Sequence, residues 1–196
     1  MAESNLTEQI IIERAIGHDP EAYRLLLNKY KTYAFSIAVK IVKNREDAEE
    51  VVQDSFVRAF KALRNFNGSG KFSTWLYKIV YNTALTRIRN KKIIMDTLEE
   101  FPDSNFDFAI PDNYTGSFEK LVQADQAALL EKALVALTES ENLVIGLYYS
   151  CENTIAEIES ITGWNPSTIK IRLFRARQKL YIELSKLLNG EMNELL

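Results

Sequence analysis

Lys170, Arg172, Arg175, Arg177 and Lys179 fall within the 18 residues from Gly163 to Leu180, and no acidic side chain interrupts them. Cationic groups spaced two to three residues apart along one helix can do two things to DNA. They neutralise backbone phosphate, and the guanidinium forks reach acceptor edges of bases in the major groove. Ser167, Thr168 and Ile171 stand at the start of the same run, where a helix end also favours phosphate. A second acid-free window, the 22 residues from Lys71 to Lys92, carries Lys71, Lys78, Arg87, Arg89, Lys91 and Lys92. The formal net charge is −3, yet these windows hold 11 of the 24 basic residues, while the other 156 residues carry 13 basic and 27 acidic groups. Two positive islands on an acidic body suit a protein that meets nucleic acid at two separate places. Two solvated helix faces would give the same clustering.

Overlapping the start of the second window, the stretch from Asn65 to Lys78 interleaves glycine, basic and aromatic residues. A polar loop with Asn67, Lys71, Phe72, Ser73 and Thr74, ending at Lys78, suits capture of an unstacked base and tracking of a single strand. Phe72 and Trp75 could equally anchor the loop in a core, and for Trp75 that is the favoured reading.

Little else in the chain could do chemistry. One cysteine, Cys151, and one histidine, His18, among 196 residues leave no internal disulfide, no histidine triad and no metal set. No phosphate loop or nucleophile elbow is present. The expectation is therefore no catalytic residue, no cofactor, no metal and no small-molecule substrate. The first residues, MAESNLTEQIIIER, lack the features of a signal peptide, and no apolar run is long enough to span a bilayer. This predicts a cytoplasmic chain without direct membrane insertion.

The elements that must position these residues read as helices. Gly and Pro number 7 and 4, and strand-like alternation is nearly absent, so the fold class is all-α: two small helical domains. Leu6 to Ile16 predicts a short helix. Asp19-Pro20 starts a second, to about Val42, with Leu26, Leu27, Tyr30, Ala34, Ile37, Ala38 and Ile41 inward. Asn44 caps a third, to about Leu63, and Ser73 or Thr74 a fourth with Leu76, Ile79, Val80, Ala84 and Ile88. That block covers residues 1–92. Residues 93–120 hold seven acidic side chains against one basic, with Pro102, Pro111 and Gly116, and predict an acidic, mobile linker. In residues 121–196, Leu130, Leu134 and Leu137 mark an inner face, and capping boxes begin at Thr138 and Thr154. Asn165-Pro166 after Gly163 opens a long helix to about Leu188. A short helix, a glycine turn and a longer basic helix form a helix-turn-helix pattern.

These residues carry a family resemblance. Tyr23 through Lys92, with Asn44-Arg45-Glu46-Asp47-Ala48-Glu49-Glu50-Val51-Val52-Gln53-Asp54-Ser55-Phe56 and Phe72-Ser73-Thr74-Trp75-Leu76-Tyr77-Lys78-Ile79, resembles region two of bacterial sigma factors. Leu137 through Leu180, ending in Ser167-Thr168-Ile169-Lys170-Ile171-Arg172-Leu173-Phe174-Arg175-Ala176-Arg177, resembles region four. With region three absent, the layout resembles the extracytoplasmic-function group. The resemblance implies an alternative sigma factor whose partners are core RNA polymerase, promoter DNA as duplex and as melted single strand, and an anti-sigma protein. It implies that Asp47, Glu49, Glu50, Gln53 and Asp54 grip the polymerase. The loop from Asn67 to Thr74 would take a flipped base of the minus-ten element, and Lys78, Asn82, Arg87 and Arg89 would lie along the promoter there. Ser167, Thr168, Lys170, Ile171, Arg172, Arg175 and Arg177 would read the minus-thirty-five element. The resemblance departs at Tyr81, at Thr86 and at Trp164-Asn165-Pro166.

Two other readings use the same residues. A stand-alone helix-turn-helix regulator would need a ligand pocket or dimer interface in residues 1–92. A pure interaction protein would use its basic helices on an acidic partner.

Overall fold

The computed structural model describes the backbone of residues 2–68, 70–95 and 128–194, and among these residues it is helical with no strand. Most of the linker expected at 93–120, and the expected start of the second block at Leu121, lie outside the described residues.

In the first block α1 is Ala2–Ile16, α2 Pro20–Val42, α3 Arg45–Lys61 and α4 Phe72–Met95. Local chemistry sets most of these limits. The Asp19 carboxylate accepts from the Glu21 and Ala22 amides, with Pro20 at the first helical position. Lys43 ends α2 in the left-handed region at φ 55°, its N–H donating to the Val39 carbonyl, and Asn44 then caps α3 by accepting from the Asp47 amide at 2.8 Å. α4 begins at Phe72, so neither Ser73 nor Thr74 is its cap. It also runs three residues past the boundary that composition suggested.

Three helices share the core of this block: Leu26, Tyr30, Ile37 and Ala38 from α2; Ala48, Val51, Phe56 and Ala59 from α3; Phe72, Leu76, Tyr77, Val80 and Ala84 from α4. Phe72 is 1% exposed and its ring lies 5.4 to 5.6 Å from those of Tyr30, Phe66 and Trp75. Leu27 and Ile88, expected inside, are exposed, because each sits beyond the stripe that reaches the neighbouring helices.

The second block consists of α5 (128–134), α6 Glu139–Ile145, a wide turn at Gly146–Ser150, α7 Ile155–Thr162 and α8 Pro166–Glu194. Both expected capping boxes are present, at Thr138 with Glu141 and at Thr154 with Glu157. Leu129 and Ala133 form the inner face of α5, Leu137 just beyond its end is buried as expected, and Leu130 points out, one position off the expected register. Gly163 adopts φ 74° to end α7, a conformation that costs a β-carbon residue. α8 runs on to Glu194, beyond the expected Leu188.

The two blocks pack on one another. α4 lies against α7, and α2 against α6 and the wide turn, within one continuous set of buried apolar side chains. Linker composition is compatible with either a closed or an extended arrangement, and the structure is closed.

Burial separates the chain's phenylalanines. Phe72→Ala is expected to cost about 3–5 kcal/mol in urea unfolding. Phe174→Ala, at a position 60% exposed, should stay within about 0.5 kcal/mol of the parent.

Candidate nucleic-acid interface

α8 is docked by a stripe of Ile169, Leu173 and Ala176, all buried. The opposite side therefore presents Ser167, Lys170, Ile171 and Arg175 to solvent, with Thr168 half-buried. The helix start is rigid: Asn165 Oδ1 accepts from the Thr168 amide at 2.8 Å and from Ser167 Oγ at 2.9 Å. Two arginines of this helix are held by aromatic groups. The Arg172 guanidinium carbon lies 3.8 Å from the Trp164 ring centroid, a cation–π geometry that orients the fork. One of its terminal nitrogens is buried without an acceptor. Arg177 Nε donates to the Tyr149 hydroxyl at 2.8 Å, with the Tyr148 and Tyr149 rings each 5.5 Å from its guanidinium carbon. Sequence reasoning missed the tyrosines, since 28 residues separate Tyr149 from Arg177 and no periodicity links them.

On α4, Lys78, Asn82 and Arg89 are exposed. Their spacings of four and seven put them on one face. The loop before the helix turns at Gly68, φ 70°, and Asn67 is exposed. Ser73 and Thr74 are half-buried. The Thr74 hydroxyl is buried without a hydrogen-bond partner. Phe72 cannot stack a base, because it is fully inside the core; the aromatic cue in the sequence marked the loop's anchor. Trp75 is half-buried against Phe66 and Phe72, as its anchoring role predicts. Lys71 is ion-paired across the blocks with Glu157 at 3.2 Å.

Arg87 also turns away from the outer face. It bonds the Asp47 carboxylate through Nη2 at 2.8 Å and Nε at 3.1 Å, and pairs with Glu50 at 2.5 Å. Lys91 reaches the other Asp47 oxygen at 2.7 Å. Asp47 is buried, so this residue of the expected polymerase grip instead faces inward and ties α3 to α4. Burial by itself would raise its carboxyl, but hydrogen bonds from Lys91 and Arg87 and their charges outweigh that and hold it below the ordinary aspartate value. Glu49, Glu50, Gln53 and Asp54 are exposed along the acidic side of α3. Among the described residues, no cluster of His, Cys, Asp and Glu could hold a metal, and no helix is long and apolar enough to cross a membrane.

The geometry is that of two helical blocks, each with its own cationic face, and the chain is similar to known proteins in sequence and in fold. Residues 26–93 match the family model of sigma-70 region 2, and residues 127–180 that of sigma-70 region 4. The ECF RNA polymerase sigma-E factor of Haemophilus influenzae is 31% identical over 199 residues, spanning 96% of this chain and 100% of the relative. Its counterpart from Salmonella typhimurium is 29% identical over 184 residues, spanning 89% and 93%. Among solved structures, the sigma factor RpoE of Bartonella quintana, in co-crystal with the anti-sigma factor NepR, superposes with a TM-score of 0.65. It is 23% identical and covers 83% of this chain and 96% of its own, a likeness of fold.

The Asp47 network makes a pH-dependent prediction. A carboxyl held low in the folded state contributes stability above its unfolded value and loses it as pH falls through the folded one. Asp47→Asn is therefore expected to cost roughly 1–3 kcal/mol at neutral pH. In urea titrations the gap between variant and parent should close below about pH 4.

Proposed function

The chain belongs to the extracytoplasmic-function group of sigma factors, and from that premise we propose how its residues divide the work. It is an alternative sigma factor: it binds core RNA polymerase and directs promoter-specific transcription initiation by reading two promoter elements. The observation that carries the division is the pair of acid-free cationic faces, one on α4 and one on α8, on two blocks of an otherwise acidic chain.

Residues 1–92 act as the region-two domain, 93–120 as the acidic connection and 121–196 as the region-four domain. Ser167, Thr168, Lys170, Ile171, Arg172 and Arg175 read the minus-thirty-five element in the major groove. Exposure of Ser167, Lys170, Ile171 and Arg175 beside a rigid helix start supports this. Arg177, held against Tyr149, serves the backbone flank. Asn67, Lys71, Ser73 and Thr74 shape the minus-ten pocket, and Lys78, Asn82 and Arg89 follow the backbone beside it. Arg87 acts through Asp47 and Glu50, setting the position of α4 against α3. Glu49, Glu50, Gln53 and Asp54 form the acidic surface offered to the polymerase.

No step makes or breaks a bond, so the factor is not itself an enzyme, and it works in the cytoplasm where polymerase and DNA are. An anti-sigma protein is its expected regulator, as NepR partners the Bartonella factor. The acidic body has a use in this scheme. It weakens binding of the free chain to bulk DNA, so that specificity emerges when polymerase tethers both blocks.

Run-off transcription with purified core polymerase on fragments of the source genome tests the reading. Discrete transcripts should depend on this chain. Lys170→Ala should reduce them roughly 5- to 150-fold, the range for losing one good base contact. Absence of any chain-dependent transcript, together with no co-elution of chain and core polymerase, overturns it.

A further inference from the structure

Helix α8 carries an apolar stripe on the side turned away from its own block. Ile169, Leu173 and Ala176 dock the helix. On the opposite side, steps of three and four residues pick out Ile171, Phe174, Gln178, Tyr181, Ser185 and Leu188. That alternation is the repeat by which one helix packs along another. Ile171, Phe174, Tyr181 and Leu188 are 50%, 60%, 75% and 52% exposed, and Ile182 beside them is 49% exposed. Scattered exposed apolar residues are ordinary, but these follow one helix face for about 25 Å and mark a contact surface.

We propose that this stripe pairs α8 with the α8 of a second copy of the chain, antiparallel, with Tyr181 at the two-fold centre. Charge selects both the occupant and its direction. The helix is polarised along its length: the acid-free window ending at Leu180 carries five bases, whereas Tyr181 to Glu194 carries Glu183, Glu191 and Glu194 against Lys186. Parallel pairing would set cationic half on cationic half. Antiparallel pairing lays each cationic half along the acidic half of the other copy. A surface complementary to itself in this sense is what a two-fold dimer requires.

The register follows from the spacing. Phe174 and Leu188 stand seven residues either side of Tyr181, so this centre brings Phe174 against the partner's Leu188 and Tyr181 against the partner's Tyr181. Gln178 then lies beside the partner's Ser185. The two polar breaks in the stripe meet each other, and neither is set against an apolar side chain. The contacts of α8 with α6 and α7 are on its other side and are left intact. Ile171 and Arg175, assigned above to the minus-thirty-five element, fall on or beside the paired face. Dimer and promoter complex therefore exclude one another, a consequence that rests on the promoter-reading role; the dimer itself does not.

Analytical ultracentrifugation of the full chain, diluted through the micromolar range, tests this. The mass should rise with concentration from 22.5 kDa toward twice that value. Tyr181→Glu, which sets two carboxylates at the centre, should hold it at one chain with an unchanged far-ultraviolet circular dichroism spectrum. Single cysteines in a Cys151→Ser background report the direction. Under mild oxidation Tyr181→Cys should cross-link to itself, and Phe174→Cys should cross-link to Leu188→Cys but not to its own kind. A parent that stays at one chain throughout, or Phe174→Cys that joins its own kind, overturns the proposal. A monomeric parent whose Tyr181→Glu variant also loses run-off transcription overturns it too, and gives the stripe to polymerase. The mass is read without polymerase or DNA, so failure to co-elute with core polymerase overturns the promoter-reading role alone.

Discussion

Helix α4 must satisfy three neighbours at once, and the rest of the molecule follows from how its sides are assigned. Phe72, Leu76, Val80 and Ala84 recur at intervals of four and are buried against α2 and α3. That stripe fixes the rotation of the helix. Lys78, Asn82 and Arg89 are left facing outward, Tyr81 is directed at the second block, and Arg87 is brought over α3. A helix that rotated to free Arg87 for DNA would pull Phe72 and Leu76 out of the core, a loss of several kcal/mol. The apolar stripe therefore decides which cations are available to a partner and which serve the fold.

Electrostatics then divides the charges by task. Asp47 is one carboxylate with two cationic partners, and the hydrogen bonds offset the cost of burying it. Glu141 has a matching place in the second block, closing the cap of α6 while accepting from Lys179 of α8. Each block thus spends an acid near the start of a helix to fix its main cationic helix. The acids that remain outward on α3 leave a negative surface beside a positive one, and that contrast sorts partners by sign.

Poorly satisfied polar groups occur both within the blocks and at the join. Both capping boxes are closed, while the Thr74 hydroxyl and the Asn153 side-chain amide are buried without a partner. Across the join, Arg172 leaves a buried nitrogen without an acceptor and Lys40 meets a single distant carbonyl. Buried polar groups satisfied this poorly lower the stability of an interface. Cys151 lies on the same seam, its thiol pushed up to about 11 by burial, so it is poorly nucleophilic in the closed form.

Much of this was legible in the sequence. Helix starts could be read at Asp19, Asn44, Thr138, Thr154 and Asn165, because a cap is a contact between residues two or three apart and needs no tertiary information. The two-block order and the cationic windows were legible for the same reason: charge runs and periodicity are properties of the chain itself. Tertiary structure alone decided the rest. It put Phe72 inside and Leu130 outside, because which stripe of a helix is buried depends on the neighbour that covers it. It turned Asp47 inward, since its cations lie 40 and 44 residues away. It also set Tyr81 against Trp164, two departures from the family pattern with nothing in the sequence to pair them. A contact across eighty residues is settled by packing, where geometry and desolvation act together, and local sequence carries no trace of either.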